Sequence, residues 1–263
     1  MKVIDKCLDL ARSARSPREF IARVSVILEG RLLGRWSERE CYDPVCVDEV
    51  ASALSKLYGW DIAGFLHEPA LLHLQSLVKR RLERVSEAIP AGFDGDALLG
   101  RLCYAVCRAS APGVVVETGV CRGVTSAHIL GALAQNGTGT LISIDLPPLG
   151  AETHGEVGLA IPPDLRDRWV LKYGSSRQAL PGVLAEYPRI DMFVHDSLHT
   201  FRTMSWEFQT VRPSLSAGGI LLADDVDCNR AFRNWTRQPY VDSSFTVQAE
   251  TKAGMFGFSR LLG

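Results

Sequence analysis

Three carboxylates stand where strands should end. Asp196 follows the run Ile190-Asp-Met-Phe-Val194 and one histidine, and the pair Asp224 and Asp225 follows Gly219-Ile-Leu-Leu-Ala223. Short apolar runs of this kind read as buried strands. If the two strands are neighbours, about 4.8 Å apart, their ends bring the three acids within a few ångströms of one another. Such groups ionise together only at high cost unless a cation sits among them. Oxygen ligation suits Mg²⁺ or a similar hard divalent ion rather than zinc. His199 lies three residues beyond Asp196. With a helix starting near Ser197, it falls in the first turn facing the metal, where a neutral imidazole can take a proton from a hydroxyl. His195 reads as structural, or as a group supporting the ligands. Either strand-end acid taken singly reads equally well as a cap, Asp224 of a loop and Asp196 of a helix, but that leaves their convergence unexplained.

A second constellation precedes the first. Val114-Val-Val116 runs into Glu117-Thr118-Gly119-Val-Cys-Arg-Gly123 and then Val124-Thr125-Ser126, which reads as strand, glycine turn and helix start. Glycine lets backbone approach a ligand closely, and a helix N-terminus favours a polar or anionic group. The G-x-x-x-G spacing is not the G-x-G-x-x-G of dinucleotide dehydrogenases, and alone it is often just a tight turn. Asp145 strengthens it by ending the next strand, Leu141-Ile-Ser-Ile144, where a carboxylate can accept both hydroxyls of a ribose. The competing reading is a loop aspartate opening the turn at Pro147-Pro148. Ser175 and Ser176, past the third strand, fall near the base of such a cofactor.

The elements that must carry these groups alternate. Strand-like runs at Val114–Val116, Leu141–Ile144, Trp169–Leu171, Ile190–Val194 and Gly219–Ala223 are separated by helical stretches at Val124–Gln135, Ser176–Glu186 and Thr200–Val211. This predicts an α/β fold with a doubly wound, mostly parallel sheet. Phe245–Ala249 and Gly254–Phe258, split by a Thr-Lys-Ala link, read as a closing antiparallel hairpin. Residues 1–93 read as a helical region, with a helix start at Ser16-Pro-Arg-Glu and further helices over Val47–Tyr58 and Pro69–Ile89. It would cover the acceptor or pair two chains as a homo-oligomer. The second unit is 94–263, opening with a helix capped by Asp94. The Pro- and Gly-rich stretch 146–168 reads as a lid or as a plain surface loop.

Composition narrows the function. Lys plus Arg total 29 against 30 for Asp plus Glu, which argues against a general nucleic-acid or membrane-surface binder. No apolar stretch approaches the ~20 residues that span a bilayer, and the first residues lack a secretory h-region. The cysteines are odd in number and scattered. The expectation is a soluble cytoplasmic protein with reduced thiols.

Glu117-x-Gly119-x-x-x-Gly123, the acidic end of the second strand and the closing hairpin resemble the class I S-adenosylmethionine-dependent methyltransferases over about residues 95–263. That resemblance implies a seven-stranded sheet, Glu117 and the glycines near the methionine portion of the cofactor, and Asp145 on its ribose. The candidate cofactor contacts are Glu117, Thr118, Gly119, Gly123, Thr125, Ser126, Asp145, Ser175, Ser176 and Asp196. Asp196, His199, Asp224 and Asp225 resemble, more narrowly, metal-dependent sugar O-methyltransferases of macrolide and aminocoumarin biosynthesis and cephalosporin-hydroxylase-like proteins. By that resemblance the three acids bind Mg²⁺, and Asp196 and His199 are catalytic, His199 as the base. The expected partner is a small-molecule hydroxyl acceptor, a sugar or glycoside. The alternatives are a non-catalytic S-adenosylmethionine-binding or assembly protein and a nicotinamide-dependent oxidoreductase.

Overall fold

Seven strands form one sheet: β1 (Val114–Thr118), β2 (Thr140–Asp145), β3 (Trp169–Tyr173), β4 (Ile190–His195), β5 (Leu215–Ala223), β6 (Val241–Gln248) and β7 (Met255–Leu261). Their order is β3-β2-β1-β4-β5-β7-β6. The first five pair in parallel, and β7 runs antiparallel to both β5 and β6. This computed structural model describes residues 16–32, 39–83, 95–147 and 155–263. The expected sheet and its closing hairpin are both present. β5 begins at Leu215, before the apolar run at Gly219, and β6 begins at Val241, where Asp242, Ser243 and Ser244 had hidden it.

Side chains alternate across the strands with period two. Val115, Leu141, Met192, Val194, Ile220 and Leu222 face one core, and Val116, Ile142, Phe193 and Leu221 face the other. The second core is closed by the helices that follow β3, β4 and β5: Ser176–Glu186, Phe201–Val211 and Ala231–Thr236. The first is closed by Ala97–Ser110 and Val124–Asn136. In chain order the α-helices are α1 (Pro17–Leu32), α2 (Val47–Tyr58), α3 (Ile62–Leu66), α4 (Pro69–Leu82), α5 (Ala97–Ser110), α6 (Val124–Asn136), α7 (Ser176–Glu186), α8 (Phe201–Val211) and α9 (Ala231–Thr236).

Val50, Leu54, Ile62, Leu71, Leu74 and Val78 of α2–α4 belong to the same buried cluster as α5, α6 and the sheet. Each such side chain contributes roughly 1.5–3 kcal/mol on burial, which ties these helices firmly to one face. Ser16 caps α1 as expected, its Oγ accepting from the Glu19 amide at 3.1 Å. α4 ends at Leu82, and the remainder of the helix expected to Ile89 lies outside the described residues. Asp96 rather than Asp94 caps α5, accepting from Leu98 N at 2.8 Å, and Asp94 also lies outside the described residues.

Candidate active site

Strand register builds the site. Ile144, Thr118, His195 and Ala223 are successive partners across β2, β1, β4 and β5. The residues that follow them, Asp145, Gly119, Asp196 and Asp224, therefore emerge side by side at the carboxyl edge of the sheet. Backbone bonds lock the row: Gly119 N to Ile144 O at 2.9 Å, Asp196 N to Thr118 O at 2.8 Å, and Asp224 N to His195 O at 2.9 Å. Four adjacent strands span three spacings, roughly 14 Å, long enough for a nucleoside cofactor and an acceptor end to end. Ligands of open α/β sheets bind at this edge.

At one end, Glu117 is fully buried. Its Oε2 accepts from Ser126 Oγ at 2.6 Å and Ser143 Oγ at 2.7 Å, while Oε1 is buried and unpartnered. Ser126, expected as a cofactor contact, is thus a support for Glu117. Asp145 Oδ2 is likewise buried without a partner. Burial raises the Asp145 carboxyl to about 6, against backbone amides of Val120, Leu146 and Cys121 that favour its anion. Gly119 and Gly123 bracket the intervening turn. Residues 155–168 pack on that turn: Gly158 N donates to Cys121 O at 3.0 Å, Ala160 N to Arg122 O at 2.7 Å, and Arg81 Nε to Leu159 O at 2.6 Å. This half of the stretch read as a lid or a surface loop is thus packed against the turn. α1 closes the same end, with Arg23 donating to Pro147 O at 2.5 Å. A cavity of about 630 Å³ lies among Arg18, Arg23, Pro147, Tyr173, Gly174 and Gln178, beside Ser175.

The raised Glu117 pKa has a measurable consequence. Burial lifts it from 4.5 to about 8, so the folded state keeps a proton that the unfolded chain has lost. Stability of the cofactor-free protein falls as pH rises between those values and levels above about 8. At about 1.4 kcal/mol per unit, the cost is on the order of a few kcal/mol. Glu117→Gln is expected to remove this term, so its melting temperature should exceed that of the wild type by more at pH 9 than at pH 5. A gap independent of pH would contradict it.

At the other end, one ligand atom each from Asp196, His199 and Asp224 lies within 4.8 Å of the others. Asp225, expected beside them, instead turns its carboxylate to His199 Nδ1 at 3.0 Å and groups with Asp227 and Cys228. His199 is not in the first turn of a helix. α8 begins at Phe201 and is capped by Thr200, whose Oγ1 accepts from Thr203 N at 3.2 Å. Burial pushes the His199 imidazole down, but the carboxylates of Asp196, 3.7 Å away, and Asp225, 3.0 Å away, with the nearby charge of Asp224, hold its pKa at about 10. Asp224 is fully buried. Its pKa is raised by burial and by Asp196, and its Oδ1 has no partner. Thr125 Oγ1 is buried and unpartnered, and a Cβ built on Gly95 would stand 2.5 Å from it and 3.5 Å from Asp196 Oδ2.

Two residues escaped the sequence reading. Glu207 of α8, fully buried, accepts from Thr118 Oγ1 at 2.7 Å, Ser197 Oγ at 2.8 Å and His195 Nδ1 at 2.7 Å. Ser176 bonds to it as well. Thr118 and Ser176, expected on the cofactor, both bond to this hub, and His195 takes its supporting place there, with its ring 5.4 Å from that of His199. Its sequence signal was an acid on the buried stripe Thr203, Met204, Glu207, Phe208, Val211. Lys252, in the β6–β7 turn, is ion-paired with Asp224 Oδ2. Nothing in its sequence surroundings pointed to that reach.

Residues 116–226 match the family model described as a methyltransferase domain. No curated protein sequence matches the chain significantly. Among solved structures, an O-methyltransferase from Klebsiella pneumoniae, itself described as putative, aligns with TM-score 0.56 at 16% identity, over 88% of this chain and 100% of that one. TomG, an O-methyltransferase of tomaymycin synthesis from Streptomyces achromogenes solved with its methyl donor, gives 0.55 at 15%, over 82% and 96%. An O-methyltransferase from Bacillus cereus bound to S-adenosylhomocysteine gives 0.53 at 11%, over 81% and 97%. The domain match covers residues 116–226, and the chain shares the fold of these S-adenosylmethionine-dependent O-methyltransferases. No helix among the described residues is long and apolar enough to cross a membrane.

Proposed function

We propose that the protein methylates a hydroxyl of a sugar, glycoside or related small metabolite, with a divalent cation such as Mg²⁺ at the Asp196–Asp224 end of the site. The observation that carries this is the row Asp145–Gly119–Asp196–Asp224, with buried unpartnered acceptors at both ends: Glu117 Oε1 and Asp145 Oδ2 at one, Asp224 Oδ1 at the other. Such atoms are costly unless a ligand satisfies them. Asp145 fits ribose hydroxyls and Glu117 a donor on the methionine portion. Asp196 and Asp224 fit a hard cation. The sugar acceptor rests on the resemblance of Asp196-x-x-His199 and Asp224-Asp225 to sugar O-methyltransferases.

S-adenosylmethionine supplies an activated methyl group, and a divalent cation supplies Lewis acidity that lowers the pKa of a bound hydroxyl and of a nearby imidazole. The chain's own residues do the rest. Asp225 on Nδ1 fixes the His199 ring and its tautomer, leaving Nε2, 3.7 Å from Asp196 Oδ1, as the nitrogen to receive the hydroxyl proton. The rigid row sets the approach of acceptor to donor.

Calorimetry tests the cofactor end. Asp145→Ala is expected to weaken S-adenosylmethionine binding about 10–100-fold, the worth of charge-assisted bonds; unchanged affinity would overturn the ribose role. For the reaction end, a panel of sugars and glycosides is assayed for methyl transfer. Chelator and Asp224→Asn should each abolish turnover, and full activity with either removes the metal from the proposal.

A further inference from the structure

The acidic end of the site already contains a fixed positive charge. Lys252 Nζ is paired with Asp224 Oδ2, and the turn that carries it is anchored. Asp96, fully buried, accepts from Thr251 N at 2.8 Å, Thr251 Oγ1 at 2.6 Å and Glu250 N at 3.4 Å. Arg101 pairs with Glu250 at 2.6 Å. Asp96 also caps α5, so residues 250–252 are tied to a helix end and cannot swing away without breaking buried polar bonds. Asp224 is thereby divided: Oδ2 carries the lysine, and the buried Oδ1 has no partner and shares its surroundings with Asp196 and His199.

We propose that Lys252 is a tethered counter-ion that competes with a divalent cation for Asp224 and so sets the cation affinity of the reaction end. The inference rests on the cation site proposed above and adds the residue that regulates it. Two like-charged ions sharing one buried carboxylate repel strongly at this range. Seating a divalent ion on Asp224 Oδ1 therefore works against the Lys252 charge held on Oδ2. A weak and reversible cation dependence follows, rather than a permanently loaded site.

The test is titration of the cofactor-free protein with Mn²⁺, following the free-ion signal by electron paramagnetic resonance. Lys252→Met, which keeps much of the side-chain volume, is expected to bind Mn²⁺ at least ~10-fold more tightly than the wild type. Lys252→Arg should stay as weak as the wild type, because the charge is retained. The gain should vanish in the Lys252→Met/Asp224→Asn double variant, which separates this site from the neighbouring Asp225, Asp227 and Cys228 group. Equal, tight binding by wild type and Lys252→Met overturns the counter-ion role while leaving the cation site intact. Tightening in Lys252→Arg overturns it too, since space rather than charge would then be limiting. No Mn²⁺ binding in any variant sinks both the counter-ion and the metal reading, and S-adenosylmethionine binding then remains as the separate measure of the methyltransferase site.

Discussion

Glu207→Ala is expected to destabilise the protein by roughly 3–5 kcal/mol, the range for breaking a buried charged network by removing one partner. The carboxylate is fully buried and holds together three separate pieces of chain: Thr118 at the end of β1, His195 with Ser197 after β4, and Ser176 at the start of α7. Burial pushes its pKa up, but His195 and the hydroxyl donors outweigh that and hold it below the usual carboxylate range. The alanine variant leaves the imidazole and the hydroxyls without their acceptor and opens a cavity as well. For a chain of this size about 1 kcal/mol corresponds to ~2–4 °C, so the melting temperature should fall by roughly 10 °C. Glu207→Gln keeps the volume and one acceptor oxygen, and its loss should be clearly smaller. A melting temperature within 2 °C of wild type for the alanine variant would show that the network is dispensable. The same variant should also bind S-adenosylmethionine more weakly, because Thr118 and Ser197 flank Gly119 and Asp196.

The parts of the site that were legible in the sequence are those set by strand periodicity. Each buried run ended at a residue with chemistry, and parallel pairing of β2, β1, β4 and β5 carried Asp145, Gly119, Asp196 and Asp224 into one row. The helix after β4 was read two ways, over Thr200–Val211 and as starting near Ser197, and the structure bears out the first. Tertiary structure decides between them: Glu207 takes the Ser197 hydroxyl, leaving Thr200 to cap α8. Asp225 was read with Asp224 because they are adjacent. Its backbone adopts the left-handed region, φ 49°, and its carboxylate goes to His199 instead. Lys252 was the least visible. A lysine in a hairpin link reads as solvated, and only the capture of Thr251 by Asp96, 155 residues away in sequence, turns it inward. The N-terminal helices gave periodicity without a docking address. That address comes from single polar contacts such as Thr200 Oγ1 and Thr203 Oγ1 to Glu29 of α1, at 2.5 and 2.6 Å, which fasten the helix beside the His199 loop.

Gly119→Ala should be at least as damaging, and the reason is separable from ordinary glycine strain. Gly119 has φ +85°, and a Cβ built there would stand 1.9 Å from Asp196 O, 2.4 Å from Asp196 C and 3.0 Å from Ser197 N. All three are backbone atoms, so no side-chain rotation relieves the clash. Both chains are also held: Gly119 N by Ile144 O, and Asp196 N by Thr118 O. Making room therefore breaks a ladder bond or pushes Asp196 away from Asp224. Gly137 supplies the control. Its φ is +72°, and a Cβ there meets nothing within 4 Å. Gly137→Ala should cost only the left-handed penalty, about 1–2 kcal/mol. Gly119→Ala should cost about 3 kcal/mol beyond that, with S-adenosylmethionine binding lost in whatever folded protein remains. Denaturant unfolding of the two variants side by side measures the difference. Equal losses would mean that the turn and the Asp196 strand end do not touch as described, and the row on which the site depends would have to be redrawn.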